Sequence, residues 1–141
     1  LFHQAASDRV IAASFASAVK KFSPSLILVA LAGSLLADMG KEMGLRVVNE
    51  GFPERAYNPD GSLMSRKLPG AVIHSPEEAA KNALSLVTNG IQVTSGGQVK
   101  KHTVDTLCIH GDSPNALNVA EAVHAALVKA GVKIVPMRDL A

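Results

Sequence analysis

The sequence predicts an α/β domain built on a mostly parallel sheet. Apolar runs of strand length alternate with amphipathic helical stretches, and capping residues punctuate them. The runs are also too continuous for strands that turn one side to water. Nearly half of the 141 residues are apolar and 18% are charged, so one domain over residues 1–141 can bury a core.

Asp8 to Phe22 reads as a helix with Ile11, Phe15, Ala18 and Phe22 inward and Ser7 as its N-cap. Ser23-Pro24 stops it, since proline has no N–H and disfavours helix at the residue before it. Leu26 to Leu31 is a continuous apolar strand. Gly33-Ser34 turns into a short helix through Leu36, Met39 and Met43, closed by Gly44, and Arg46 to Glu50 is a second strand. Residues 51–75 form a long Pro- and Gly-rich connection, a length expected of a functional or disordered loop. Ser75-Pro76-Glu77-Glu78 starts a helix with Glu78 completing a capping box, Ala80, Ala83, Leu84 and Val87 inward, and Gly90 as its end. Ile91 to Lys101 alternates around Gly96-Gly97 as a hairpin. Thr106 to His110 is a strand, and Ser113-Pro114 opens a helix to about Ala130 with Ala116, Ala120, Val123 and Leu127 inward. Val132 to Val135 is the last strand. Open sheet and barrel are both compatible with this order.

Several classes are disfavoured. A net charge of +2, scattered basic residues and few aromatics argue against nucleic acid. No apolar stretch reaches the roughly eighteen residues of a membrane span, and no signal-peptide pattern opens the sequence. The single Cys108 fits a reducing cytoplasm. Neither a Walker P-loop nor a GxGxxG fingerprint is present.

In parallel α/β sheets the loops at the C-terminal strand ends converge on one face, and three such ends here carry polar chemistry. The second strand ends in Glu50, followed by Phe52, Glu54, Arg55 and Tyr57. Glu50 is a candidate base, an amine ligand or half of a structural ion pair with Arg55. The turn Asn58-Pro59-Asp60-Gly61 would return Arg66 and Lys67 to the strand ends, where a guanidinium holds carboxylate or phosphate with two parallel hydrogen bonds. The fourth strand ends in Cys108-Ile109-His110-Gly111-Asp112. His110 and Asp112 suit proton transfer or a metal, and Asp112 alternatively caps the next helix. Cys108 is read as packing, and His74, His102 and His124 as surface or packing residues.

The runs Leu1-Phe2-His3-Gln4-Ala5-Ala6, Ser25 to Ser34 and Glu50-Gly51-Phe52-Pro53-Glu54-Arg55-Ala56-Tyr57 resemble the LamB/YcsF family. So do Pro59-Asp60-Gly61-Ser62-Leu63 with Arg66, Pro69-Gly70-Ala71-Val72-Ile73, and Thr106 to Asp112. The resemblance implies part of a (β/α) TIM-like barrel of the glycoside hydrolase/deacetylase type, with this chain as its C-terminal portion and the N-terminal part absent. It implies the A component of an ATP-dependent 5-oxoprolinase, which with subunits B and C opens 5-oxo-L-proline to L-glutamate, coupled to ATP hydrolysis. Glu50, His110 and Asp112 would then be catalytic, and Arg55, Tyr57 and Arg66 would hold substrate or phosphate. A divalent metal at His110 and Asp112 is an open alternative, as is a deacetylase-like metal-dependent lactam hydrolase or a catalytically inert piece.

Overall fold

The computed structural model describes residues 1–95 and 98–140. In chain order it contains α1 (Phe2–Ser7), α2 (Arg9–Phe22), β1 (Ile27–Leu31), α3 (Leu35–Glu42), β2 (Arg46–Gly51), α4 (Pro76–Asn89), β3 (Ile91–Ser95), β4 (Gln98–His102), β5 (Thr106–Leu107) and α5 (Ala116–Lys129), then a short 3-10 turn at Met137–Asp139. β1, β2 and β5 form a parallel sheet in that order, with Leu31 opposite Glu50 and Glu50 opposite Thr106. The expected α/β class with parallel strands is therefore present. Its consequence for function is that β1, β2 and β5 all end on one side, around Leu31, Gly51 and Leu107.

α3 lies close on the sheet because Gly40 leaves room: a Cβ there would stand 2.6 Å from Leu28 and 2.7 Å from Val47. Leu28, Ala30, Leu36, Met39 and Leu45 fill this layer together with Ala12 and Ala16 of α2. The contact face of α2 is the expected one in part, since Ile11 and Phe15 pack half-buried against this layer. Ala12 and Ala16 are buried, while Ala18 is exposed and Phe22 is 84% exposed. Small side chains allow a close helix approach, and they set the stripe here more than the large ones do. The N-cap is Asp8, not Ser7: its carboxylate accepts from the N–H groups of Val10 and Ile11.

α4 begins as expected, with Ser75 Oγ accepting from the Glu78 N–H and Pro76 in the first turn. The Ser75 hydroxyl donates to Glu77 at 2.8 Å, so Glu77 takes the acidic place expected of Glu78. α4 ends at Gly90, whose φ is +69° and whose added Cβ would meet the His102 carbonyl oxygen at 2.2 Å. Ala79, Ala83, Val119, Val123 and Leu127 join α4 to α5. β3 and β4 pair as the antiparallel hairpin expected, and the turn expected at Gly96-Gly97 lies outside the described residues.

Three further expectations are corrected. β5 is only two residues long and does not reach His110. The Cys108 N–H still bonds the Gly51 carbonyl, but β2 ends there, and the His110 N–H turns to the Glu54 carboxylate instead. α5 starts at Ala116 with Asn115 as its cap residue, two positions beyond Ser113-Pro114, and Asp112 caps nothing. Val132 to Val135 joins no ladder among the described residues. Val132 is tied back to Leu127 by its N–H, and the segment beyond is held by Arg46, whose guanidinium donates to the carbonyls of Met137, Arg138 and Leu140. No described helix is long and apolar enough to cross a membrane.

Candidate active site

The 51–75 connection is an ordered loop, and two of the residues assigned to ligand binding order it. Arg55 is 4% exposed, and its guanidinium donates to the carbonyls of Ala71 at 3.2 Å and Met64 at 2.5 Å. Isolated bridges join Arg55 to Val72 and Tyr57 to Leu63. Burial, then the neighbouring Arg66 charge, lowers the Arg55 pKa. No ion pair between Glu50 and Arg55 is found among the described residues; the geometry gives Arg55 a folding role. The Tyr57 hydroxyl accepts from the Phe52 N–H at 2.7 Å, which fixes the start of the loop rather than reaching toward a ligand.

With that frame held, the loop delivers two side chains to the end of β5. Glu54, 5% exposed, accepts through one carboxylate oxygen from the His110 main-chain N–H at 2.9 Å and is in contact with the ring Nδ1. Arg66 approaches the other ring nitrogen, Nε2, at 2.9 Å. A guanidinium has only donors, so Nε2 must accept and the ring proton must sit on Nδ1, facing the carboxylate. The ring is stacked on Phe52, with centroids 5.7 Å apart and planes 23° from parallel. When its ring is neutral, His110 therefore aims the Nε2 lone pair at the exposed Arg66 cation.

Glu50 lies at the end of β2 beside this group. Burial raises its pKa, and the nearby His110 pulls the other way. A carboxyl that keeps its proton to higher pH is suited to carry one. Asp112 is exposed, and no described hydrogen bond includes it. The place on His110 expected for Asp112 is taken by Glu54, a partner 56 positions away in sequence that spacing could not reveal. Cys108 packs at the strand ends, and burial pushes its thiol up, as fits a packing residue. Arg66 also borders a cavity of about 750 Å³ lined by Arg55, His3, Ser34, Ser62 and Lys67, a size in the usual range for small-molecule sites.

The model of the LamB/YcsF family matches residues 1–141. The chain belongs to that family. Among its relatives, the A subunit of 5-oxoprolinase from Thermus thermophilus is 49% identical over 135 residues, covering 95% of this chain and 54% of the relative. The protein of the same description from Pyrococcus abyssi is 40% identical over 139 residues, covering 99% and 54%. The crystal structure of the lactam utilization protein from Thermus thermophilus superposes with a TM-score of 0.77 at 46% identity, covering 94% of this chain and 53% of that one. The chain spans about half the length of the curated relatives it matches.

The described residues do not by themselves assemble a set of metal ligands at His110 and Asp112. Among the described residues no group of three or more His, Cys, Asp or Glu side chains is arranged to hold a metal ion. Of the expected pair, Asp112 is exposed, while Nδ1 of His110 faces Glu54 and Nε2 faces the Arg66 cation.

The loop frame carries a pH signature. Burial pushes the Tyr57 hydroxyl from 10.0 up to about 12. The neutral form is favoured on folding, so between pH 10 and 12 the unfolded chain binds fewer protons than the folded one, and stability falls as pH rises through that window. The contribution is fully present below about pH 10 and amounts to roughly 2–3 kcal/mol. Urea unfolding of the wild type should weaken more steeply over this range than that of Tyr57→Phe; parallel pH dependences would refute the assignment.

Proposed function

We propose that this chain forms one side of the active site of an ATP-dependent 5-oxoprolinase, as its A subunit, within a (β/α) barrel. The observation that carries the reading is the pairing of His110 Nε2 with Arg66, which borders the cavity, at the C-terminal ends of parallel strands. The names of the relatives supply the substrate class, a lactam, and imply a multi-subunit enzyme, for which subunits B and C are the partners proposed.

A lactam resists water because its C–N bond shares the carbonyl electrons. Transfer of the terminal phosphoryl group of ATP to the lactam oxygen, with ADP leaving, removes that protection. Water then attacks the ring carbon, the C–N bond breaks to give an acyl phosphate, and a second water releases phosphate and glutamate. Arg66, with Lys67 beside it, holds the substrate carboxylate or the phosphoryl oxygens. As Arg66 engages an anion, Nε2 of His110 is released to take the proton of the attacking water. Glu50, whose pKa burial raises, stands beside His110 as the group to pass a proton toward the departing ring nitrogen. Asp112, exposed, has no assigned step.

The reading is tested by measuring glutamate release from 5-oxo-L-proline by the full-length protein, with and without ATP and subunits B and C. Glutamate is expected only from the complete mixture. Release by the full-length protein on its own, without ATP and abolished by a chelator, would overturn the reading in favour of a metal-dependent lactam hydrolase.

A further inference from the structure

We propose that Glu54 is a positioning residue that fixes the tautomer of His110, so that Nε2 and not Nδ1 is the working nitrogen. The inference rests on the 5-oxoprolinase reading for its kinetic consequence, but not for its structural one. A histidine free in water prefers the proton on Nε2, so the form found here needs a partner that stabilises Nδ1–H. Glu54 is that partner, and one oxygen serves both the main-chain N–H and the ring N–H of His110.

The carboxylate is itself held in place. The Glu54 carbonyl accepts from the Ile73 N–H at 2.9 Å, and the Pro53 carbonyl just before it accepts from Asn82 at 3.2 Å. Phe52 fixes the plane of the imidazole while Glu54 fixes its edge. A carboxylate this deeply buried is costly unless paired with strong donors. Among the described residues, both hydrogen bonds to the Glu54 side chain come from His110. The same carboxylate would stabilise the imidazolium that forms when Nε2 takes a proton.

The test uses the full-length protein labelled with ¹⁵N-histidine, by itself for NMR and with its partners for turnover. The wild type should show His110 protonated at Nδ1 and bare at Nε2 when the ring is neutral. In Glu54→Ala the ring should revert to the Nε2–H form, and kcat should fall by about 100-fold with KM changed far less. In Glu54→Gln the main-chain N–H keeps the amide oxygen facing the ring, so the tautomer should persist. The charged groups around His110 are Glu54, Glu50 and Arg66. Loss of the Glu54 charge disfavours imidazolium, so the acidic limb of the rate profile should move to lower pH.

An Nε2–H wild type, or an Ala variant with unchanged tautomer and kcat, would overturn the proposal. If Glu54→Ala does not fold, an unmoved acidic limb in Glu54→Gln overturns it instead. The NMR result needs no substrate, so it stands apart from any failure of the 5-oxoprolinase reading.

Discussion

Arg66→Ala in the assembled enzyme should lower kcat/KM for ATP-dependent glutamate formation by about 100-fold or more while leaving thermal unfolding nearly unchanged. The two halves of this expectation have separate causes. Arg66 is exposed on the loop after the Asn58–Ser62 turn, and its one described hydrogen bond goes to His110, so little packing is lost with it. Surface changes of that kind usually shift stability by less than about 0.5 kcal/mol. Removing a cation that holds an anion at a reacting centre costs several times more. Arg66→Lys should rescue poorly, because an ammonium cannot offer the planar fork of a guanidinium. Initial rates at varied 5-oxo-L-proline, with an unfolding curve for each variant, check both halves. Near-normal turnover in Arg66→Ala would remove it from the mechanism.

Much of the scaffold was legible because local chemistry dictates it. Ser75-Pro76 and Gly90 mark α4, since a hydroxyl cap, an N-terminal proline and a positive-φ stop act within a few residues. The continuous apolar runs likewise locate β1 and β2. What failed depended on distant partners. Val132 to Val135 has strand composition, but a strand also needs a neighbour to complete its ladder, and none is described beside it. The start of α5 moved because Ser113 does not cap it, and part of the face of α2 moved because its alanines pack closest.

The site divides the same way. Glu50, Arg66 and His110 could be expected from strand ends and a returning turn, and His110 and Arg66 meet directly. Arg55 and Tyr57 looked alike in sequence; both bind the backbone of the loop, and Arg55 also lines the cavity that Arg66 borders. Glu54 was visible only as one acid in the run from Glu50 to Tyr57. A buried carboxylate needs a partner, and nothing local names His110 as that partner.

In the proposed reaction Nε2 of His110 takes the proton of the attacking water. Replacing this base removes a contribution of about 10²–10⁴-fold in rate. The side chain is partly exposed and lies outside the buried core, and the main-chain N–H of residue 110 still binds Glu54. The variant should therefore be less stable than the wild type but still fold. The deciding measurement is kcat for ATP-dependent glutamate formation by the assembled enzyme carrying His110→Ala, with folding verified in the same preparation. A loss of about 1,000-fold is expected, with the complex still assembled. A folded, assembled His110→Ala enzyme that turns over within a few-fold of wild type would contradict that role of His110.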